Sequence, residues 1–270
     1  MNMEKDKLEE LKLLSAKIRK DVLEMLEKRG YGHMGGSLSI VELMSVLYGK
    51  QLRYDAKNPD WEERDMVVLS KGHSGPAWYS VLAEKGFFDR EWLFTLNDGG
   101  TKLPSHPDRL KTPGVDMTTG SLGQGLSDAN GMAIAGKLDN KDYRVYCILG
   151  DGEIEEGQVW EAAMASNKYK LDNLCVILDN NGLQIDGKVE EVVTQLRILP
   201  NHGTIWAIFW YRKGFFRMGI VVIGAVFVDI KGYPLSAYIP GGRNAGRIEQ
   251  VHGGVSRNVV EDIANVELRP

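Results

Sequence analysis

The chain has 270 residues, 43% of them hydrophobic, and a formal net charge of −4 at pH 7. That is enough apolar material for one large α/β domain or two small ones, and the mildly acidic balance provides no basic field for a nucleic-acid backbone or an anionic lipid surface. The longest apolar run, GIVVIGAVFV at 219–228, is too short to cross a bilayer as a helix, and the charged opening MNMEKDKLEELKLL lacks an apolar h-region; a cytoplasmic protein with neither nucleic acid nor membrane as partner is expected.

In chain order, residues 4–28 place Leu8, Leu11, Leu14, Ile18, Val22 and Met25 at three- and four-residue intervals, which predicts an amphipathic helix ended by Gly30 and Gly32. SIVELMSVLYGKQL reads as a second helix, with Ser37 and Ser39 as candidate caps. A strand, turn, helix rhythm then runs three times: MVVLS with KGHSG and AWYSVLAEKG; TTGSLGQG with LSDANGMAIAGKL; and RVYCIL with GDG and a helix from about Glu156. LCVILDNNG supplies a further strand ending at Asp179, Asn180 and Asn181. Short apolar strands without polar alternation, separated by helices, predict an α/β fold with a doubly wound parallel sheet covered on both faces, and ligands of such sheets lie beyond the carboxyl ends of the strands. Cys147 and Cys175, the chain's two cysteines, sit inside apolar runs and read as buried, reduced thiols.

Gly150, Asp151 and Gly152 follow RVYCIL directly, so the aspartate emerges at the carboxyl edge with glycines that let a ligand approach closely. Alone, such a triplet is a tight turn. Asn181 lies 30 residues on, one strand, helix, strand crossover away, which turns a carboxylate and an amide oxygen toward one crevice. Hard oxygens of this kind, completed by a backbone carbonyl and a phosphorylated ligand, suit Mg2+ or Ca2+, and so few protein ligands imply a bound diphosphate.

The phrases GHMGGSLS, VLSKGHSGPAWYSVLAEKG, LPSHPD, TTGSLGQGLSDANGMAIAGK, GDGEIEEGQVWEAAMAS and LDNNGLQIDG, in this order over roughly residues 10–192, resemble the transketolase family, most closely the N-terminal half that some organisms make as a separate subunit. The resemblance implies the thiamine-diphosphate-binding module of that family. Asp151, Asn181 and the carbonyl of Leu183 would hold the metal; Gly150, Asp151, Gly152, Glu156, Asn181, His73 and the loop residues Gly120, Ser121 and Leu122 would line the cofactor. Gly152 and its neighbours would offer N–H groups to the diphosphate at the start of the following helix. His33, His73 and His106 would act in catalysis or substrate positioning, where a ring that exchanges protons near neutral pH suits hydroxyl and carbonyl oxygens. Glu156 and Glu161 read either as acids in the first turn of a helix or, by the resemblance, as groups that communicate protons between paired sites across a dimer interface.

The implied activity is ketol transfer between sugar phosphates, as in the pentose phosphate pathway, with a C-terminal-half subunit supplying the glutamate that contacts the aminopyrimidine ring, in a homodimer or heterotetramer. Two other readings remain open from the residues: a subunit of another enzyme using the same module, such as a deoxyxylulose-phosphate synthase, or a cofactor-binding protein without activity, regulatory or defective. The second follows from the tail. Residues 1–193 carry the module, whereas 194–270 form an atypical segment in which Trp206, Phe209, Trp210, Tyr211, Phe215 and Phe216 crowd together, either diverged or read from a disturbed frame; His252 is its candidate phosphate contact. Translating the other two frames of the coding DNA across codons 190–270 is expected to restore family-like text. Two unrelated translations would exclude the frame disturbance.

Overall fold

A computed structural model of the protein describes residues 2–184, 187–192, 221–224, 228–234 and 246–252. The first helix, α1 (Asn2–Arg29), follows the predicted spacing: Leu11, Ile18, Val22 and Met25 are buried while Leu8, at the start of the stripe, is half-buried. Gly30 closes it in a left-handed conformation (φ +83°), its N–H donating to the Leu26 carbonyl at 2.8 Å. Two short helices follow, α2 (Met34–Leu38) and α3 (Val41–Val46), the latter running on through a π-helical turn at Leu47–Gln51.

Ser37 and Ser39 do not cap a helix. Because α2 already begins at Met34, both hydroxyls meet acceptor oxygens rather than open N–H groups: Ser37 Oγ donates to His33 O at 2.8 Å, and the single Ser39 O–H is shared between Asp179 Oδ2 at 2.6 Å and Gly36 O at 3.0 Å.

The main sheet is built from β1 (Met66–Leu69), β2 (Val145–Gly150) and β3 (Leu174–Asn180). Beyond β3 the chain makes a small antiparallel pair, β4 (Leu183–Gln184) with β5 (Gly187–Lys188). Val221–Gly224, inside the apolar run GIVVIGAVFV, forms β6 and completes a four-stranded parallel sheet in the order β1-β2-β3-β6. β7 (Val228–Pro234) and β8 (Gly246–His252) pair antiparallel with each other. The aromatic run from Trp206 to Phe216 and the side chain of His252 lie outside the described residues.

Alternation along the strands explains why they read as continuous apolar runs. Val67, Leu69, Tyr146, Ile148 and Ile177 face a layer formed by α1, α3 and α4 (Gly75–Glu84), while Val68, Val145, Cys147, Leu149, Val176 and Leu178 face α5 (Gly125–Leu138) and α6 (Gly157–Lys168). Both faces are covered, so the fold is the doubly wound α/β arrangement. A last short helix, α7 (Val189–Val192), follows β5.

One unit departs from the predicted rhythm. No strand precedes TTGSLGQG among the described residues; β1 pairs directly with β2, and the intervening 85–124 excursion is held by side-chain bonds to backbone, among them Tyr79 Oη to Pro104 O at 2.7 Å and Thr119 Oγ1 to Leu69 O at 2.7 Å. Among the described residues no helix is long and apolar enough to cross a membrane.

Ile148 sits in the central strand with 0% exposure, so Ile148→Ala is expected to lower stability by about 2–5 kcal/mol, read as a reduced urea midpoint at unchanged slope.

Candidate active site at the carboxyl edge of the sheet

The crossover from β2 to β3 returns to the neighbouring strand, with Gly150 paired to Asp179. Asp151 continues that pairing through its N–H to Asp179 O at 3.1 Å, and its side chain is buried. Its Oδ1 accepts from Gly152 N at 3.0 Å and its Oδ2 from Gly182 N at 2.5 Å. Burial first, and the nearby Asp179 charge second among the raising effects, push the Asp151 carboxyl up to about 6. Asn181 folds its turn through Oδ1, which accepts from Leu183 N at 2.9 Å, and Leu183 itself is 44% exposed at the edge.

These residues fit a hard divalent cation. The donor set is carboxylate, amide and carbonyl oxygen, the carboxylate is held where burial makes its charge costly, and Asp179 Oδ1 beside it is buried without a hydrogen-bond partner. No group of three or more His, Cys, Asp or Glu side chains suited to a metal occurs among the described residues, so an ion here relies on amide, carbonyl and ligand oxygens.

Two expectations about the following segment are corrected. Gly152 does not open an α-helix: a 3-10 turn, Glu153–Glu155, intervenes before α6 begins at Gly157, and the Gly152 N–H is taken by Asp151. The turn forms because Glu153 folds its carboxylate back into the protein. A Cβ at Gly152 would lie 2.9 Å from Gln184 Cγ, so the glycine permits β4 to pack there. Nor are Glu156 and Glu161 first-turn acids. Glu156 precedes the helix and makes no capping bond, Glu161 is the fifth helical residue, and both are exposed.

The three histidines meet. His33 lies with its ring 5.2 Å from that of His73 and 6.4 Å from that of His106. The predicted cofactor loop packs against them: a Cβ at Gly120 would stand 3.3 Å from His106 Cγ, and one at Gly72 would stand 2.8 Å from Gly120 N. Ser121 and Leu122 are exposed beyond this contact. Gly123 closes the loop in a left-handed conformation (φ +84°). Burial, then the charges of Lys71, His33 and His106, push the half-buried His73 down to about 4, and burial followed by His33 lowers His106. Both rings are therefore neutral near pH 7, each with one N–H and one lone pair.

Three functional-looking residues escape a motif reading. Glu153, 2% exposed, accepts from Gly123 N at 2.9 Å, Gly150 N at 3.0 Å and the Ser70 hydroxyl. Lys71 and Asp179, each 1% exposed, form an ion pair at 2.5 Å. The available signal was position: each is a charged residue at the end of a fully apolar strand, in LSKGH, LGDGE and LDNNG.

The chain matches the family model described as transketolase, thiamine diphosphate binding domain, over residues 11–211. It is 54% identical over 175 residues to the 6-deoxy-6-sulfo-D-fructose transketolase subunit of Clostridium sp. (strain MSTE9), covering 65% of this chain and 64% of that protein. It is 46% identical over 187 residues to an apulose-4-phosphate transketolase subunit of Phocaeicola vulgatus, covering 69% and 66%. The alignments thus span about two thirds of the length of these relatives. Among solved structures, transketolase from Campylobacter jejuni superposes with a TM-score of 0.65 at 34% identity, covering 70% of this chain and 30% of that one.

A neutral His73 makes a sign-specific prediction. Between about 4 and the unperturbed value of 6.5 the unfolded chain binds the extra proton, so the stability this ring contributes is complete above 6.5 and is lost as pH falls. NMR titration is expected to give His73 a midpoint near 4, and His73→Gln is expected to lose less stability than the wild type between pH 7 and 4.5. A His73 midpoint at 6.5 contradicts this.

Proposed function

This chain belongs to the transketolase family, and we propose that it is the N-terminal, thiamine-diphosphate-binding subunit of a transferase that moves a two-carbon ketol unit between sugars once a C-terminal-half subunit is docked. The observation that carries the reading is the meeting of Asp151 with the turn of Asn181 to Leu183, at the same strand edge that bears a rim of three histidines. The two similar subunits support the need for a partner by their names, which also specify 6-deoxy-6-sulfo-D-fructose and apulose-4-phosphate. A sugar with an anionic end is the substrate class assigned.

In this reading Asp151, Asn181 and the Leu183 carbonyl hold Mg2+, and Gly150, Gly152, Gly120, Ser121, Leu122, His73 and Glu156 line the cofactor. Thiamine diphosphate, when bound, supplies a carbon nucleophile toward a substrate carbonyl and a ring that stores the electron pair. The chain's own residues orient the substrate. His33, His73 and His106 accept hydrogen bonds from its hydroxyls and donate to its carbonyl oxygen, and a neutral ring nitrogen of His73 or His106 takes and returns a hydroxyl proton. Glu156 and Glu161, both exposed, communicate protons between paired sites across the interface of a homodimer or a heterotetramer with the partner subunit. Residues 1–193 carry every residue assigned to the cofactor, with 194–270 a segment of different character that nonetheless returns β6 to the same sheet.

Isothermal titration of the full chain with thiamine diphosphate and Mg2+, with and without the candidate C-terminal-half subunit, tests this. Binding is expected to need the metal, to weaken at least about tenfold in Asp151→Ala and to tighten with the partner. A folded protein that binds no cofactor under any of these conditions is an inactive relative.

A further inference from the structure

Beneath the proposed metal and histidine residues lies a second buried cluster that the family reading leaves without a role. Asp179 Oδ2 accepts from Lys71 Nζ at 2.5 Å, from Ser39 Oγ at 2.6 Å and from Asn181 Nδ2 at 3.4 Å. The Gly36 carbonyl gathers the other ends of the same groups: it accepts from Lys71 Nζ at 2.9 Å, from Ser39 Oγ at 3.0 Å and from Ser74 Oγ at 2.7 Å. Gly36 in turn has no space between itself and the histidine rim, since a Cβ there would be 2.9 Å from His73 Cδ2 and 3.0 Å from His73 Nε2. On the other side of α2, Ser37 Oγ holds the His33 carbonyl at 2.8 Å. Polar contacts and packing therefore run without interruption from Asn181 to His73 and His33.

Resting on the cofactor reading above, we propose that Asp179 and Lys71 are positioning residues that couple cation binding at Asp151 and Asn181 to the placement of His33 and His73. The asymmetry of Asp179 carries the argument. One oxygen takes three donors and the other, buried, takes none, so the carboxylate has an acceptor in reserve when the Asn181 amide reorients to give its oxygen to an ion. A polarised Nδ2 then draws on Asp179, and any shift of that carboxylate is shared by Lys71 and Ser39 and delivered to the Gly36 carbonyl. By linkage, the histidine arrangement sets cation affinity to the same degree that the cation sets the histidines.

The test uses the full chain with histidine rings labelled for NMR, titrated with Mg2+ in a constant excess of thiamine diphosphate. In the wild type the His33 and His73 signals are expected to move with the same midpoint as metal binding, and in Asp151→Ala they should not move. Ser39→Ala removes the three contacts of that hydroxyl, to Gly36 O, to Asp179 Oδ2 and from Lys71 Nζ, and leaves the ion pair itself in place; it is expected to weaken Mg2+ binding about tenfold to a hundredfold, as loss of a group supporting a metal ligand does, and to separate the His73 response from metal occupancy. Asp179→Asn is expected to do the same, and the double variant Lys71→Met with Asp179→Leu guards against misfolding from an unpaired buried lysine. If Ser39→Ala and the double variant, both folded, bind Mg2+ within twofold of the wild type and keep its histidine shifts, the coupling is overturned while the cofactor reading stands. A wild type that binds neither metal nor cofactor overturns both.

Discussion

One carboxylate joins the parts of this protein that have to act together. Glu153 reaches from the turn after β2 to the N–H of Gly150, the N–H of Gly123 and the hydroxyl of Ser70, so a single side chain fastens the ends of β1 and β2 to the loop at 119–123. Burial raises its pKa, and the donors around it work against that rise. Such a group is tolerated inside a protein because its acceptor sites are occupied; removal of any partner leaves a desolvated oxygen. The Lys71–Asp179 pair performs the equivalent task one strand over, between β1, β3 and α2. Breaking a buried pair on one side costs more than the pair gains on forming, which makes both clusters stringent about geometry rather than large sources of stability.

The sheet supplies the frame for these polar ties. Parallel register brings the ends of β1, β2 and β3 to a common edge, and the chain segments that follow them carry KGH, GDG and the turn of Asn181 to Leu183. The segment before α2 contributes His33, and the long excursion between α4 and α5 contributes His106 and the glycine-rich loop at 119–123 without any strand of its own. It is held instead by bonds such as Arg64 to Asp116 at 2.6 Å and Thr119 to the Leu69 carbonyl. Backbone groups that a strand would have paired are satisfied by side chains.

The elements legible in the sequence are those whose signal is local or periodic. The stripe of α1 and the apolar runs of β1, β2 and β3 needed only spacing, and the interval from Asp151 to Asn181 sufficed to place them at neighbouring strand ends. What was not legible depends on distant partners. Ser39 looks like a cap because the local pattern puts it before an apolar run; only the carboxylate of Asp179, 140 positions away, decides that it donates there instead. Glu153, Lys71 and Asp179 look like surface charges at turns, since nothing within a few residues announces the ligand each will find more than a hundred or several tens of positions away. The missing strand before TTGSLGQG belongs to the same class: a glycine-rich turn opening a helix is the same text whether a strand or a tethered loop leads into it.

The order of the strands also bears on how the chain assembles. Pairing β2 with β3 closes a loop of about 30 residues, whereas pairing β1 with β2 closes one of about 80, a difference of roughly 1 kcal/mol in chain entropy. The β2, α6, β3 unit is thus the cheaper nucleus, and it already contains Asp151, Asn181 and Leu183. Docking of β1 comes later and brings Lys71 against Asp179 and Ser70 against Glu153. A chain emerging from the ribosome makes β1 long before β2 exists, so the strand's pairing edge stays open until residues beyond 150 have been synthesised, which places the hazard of edge-to-edge aggregation early in translation and its relief at the moment the buried ion pair closes.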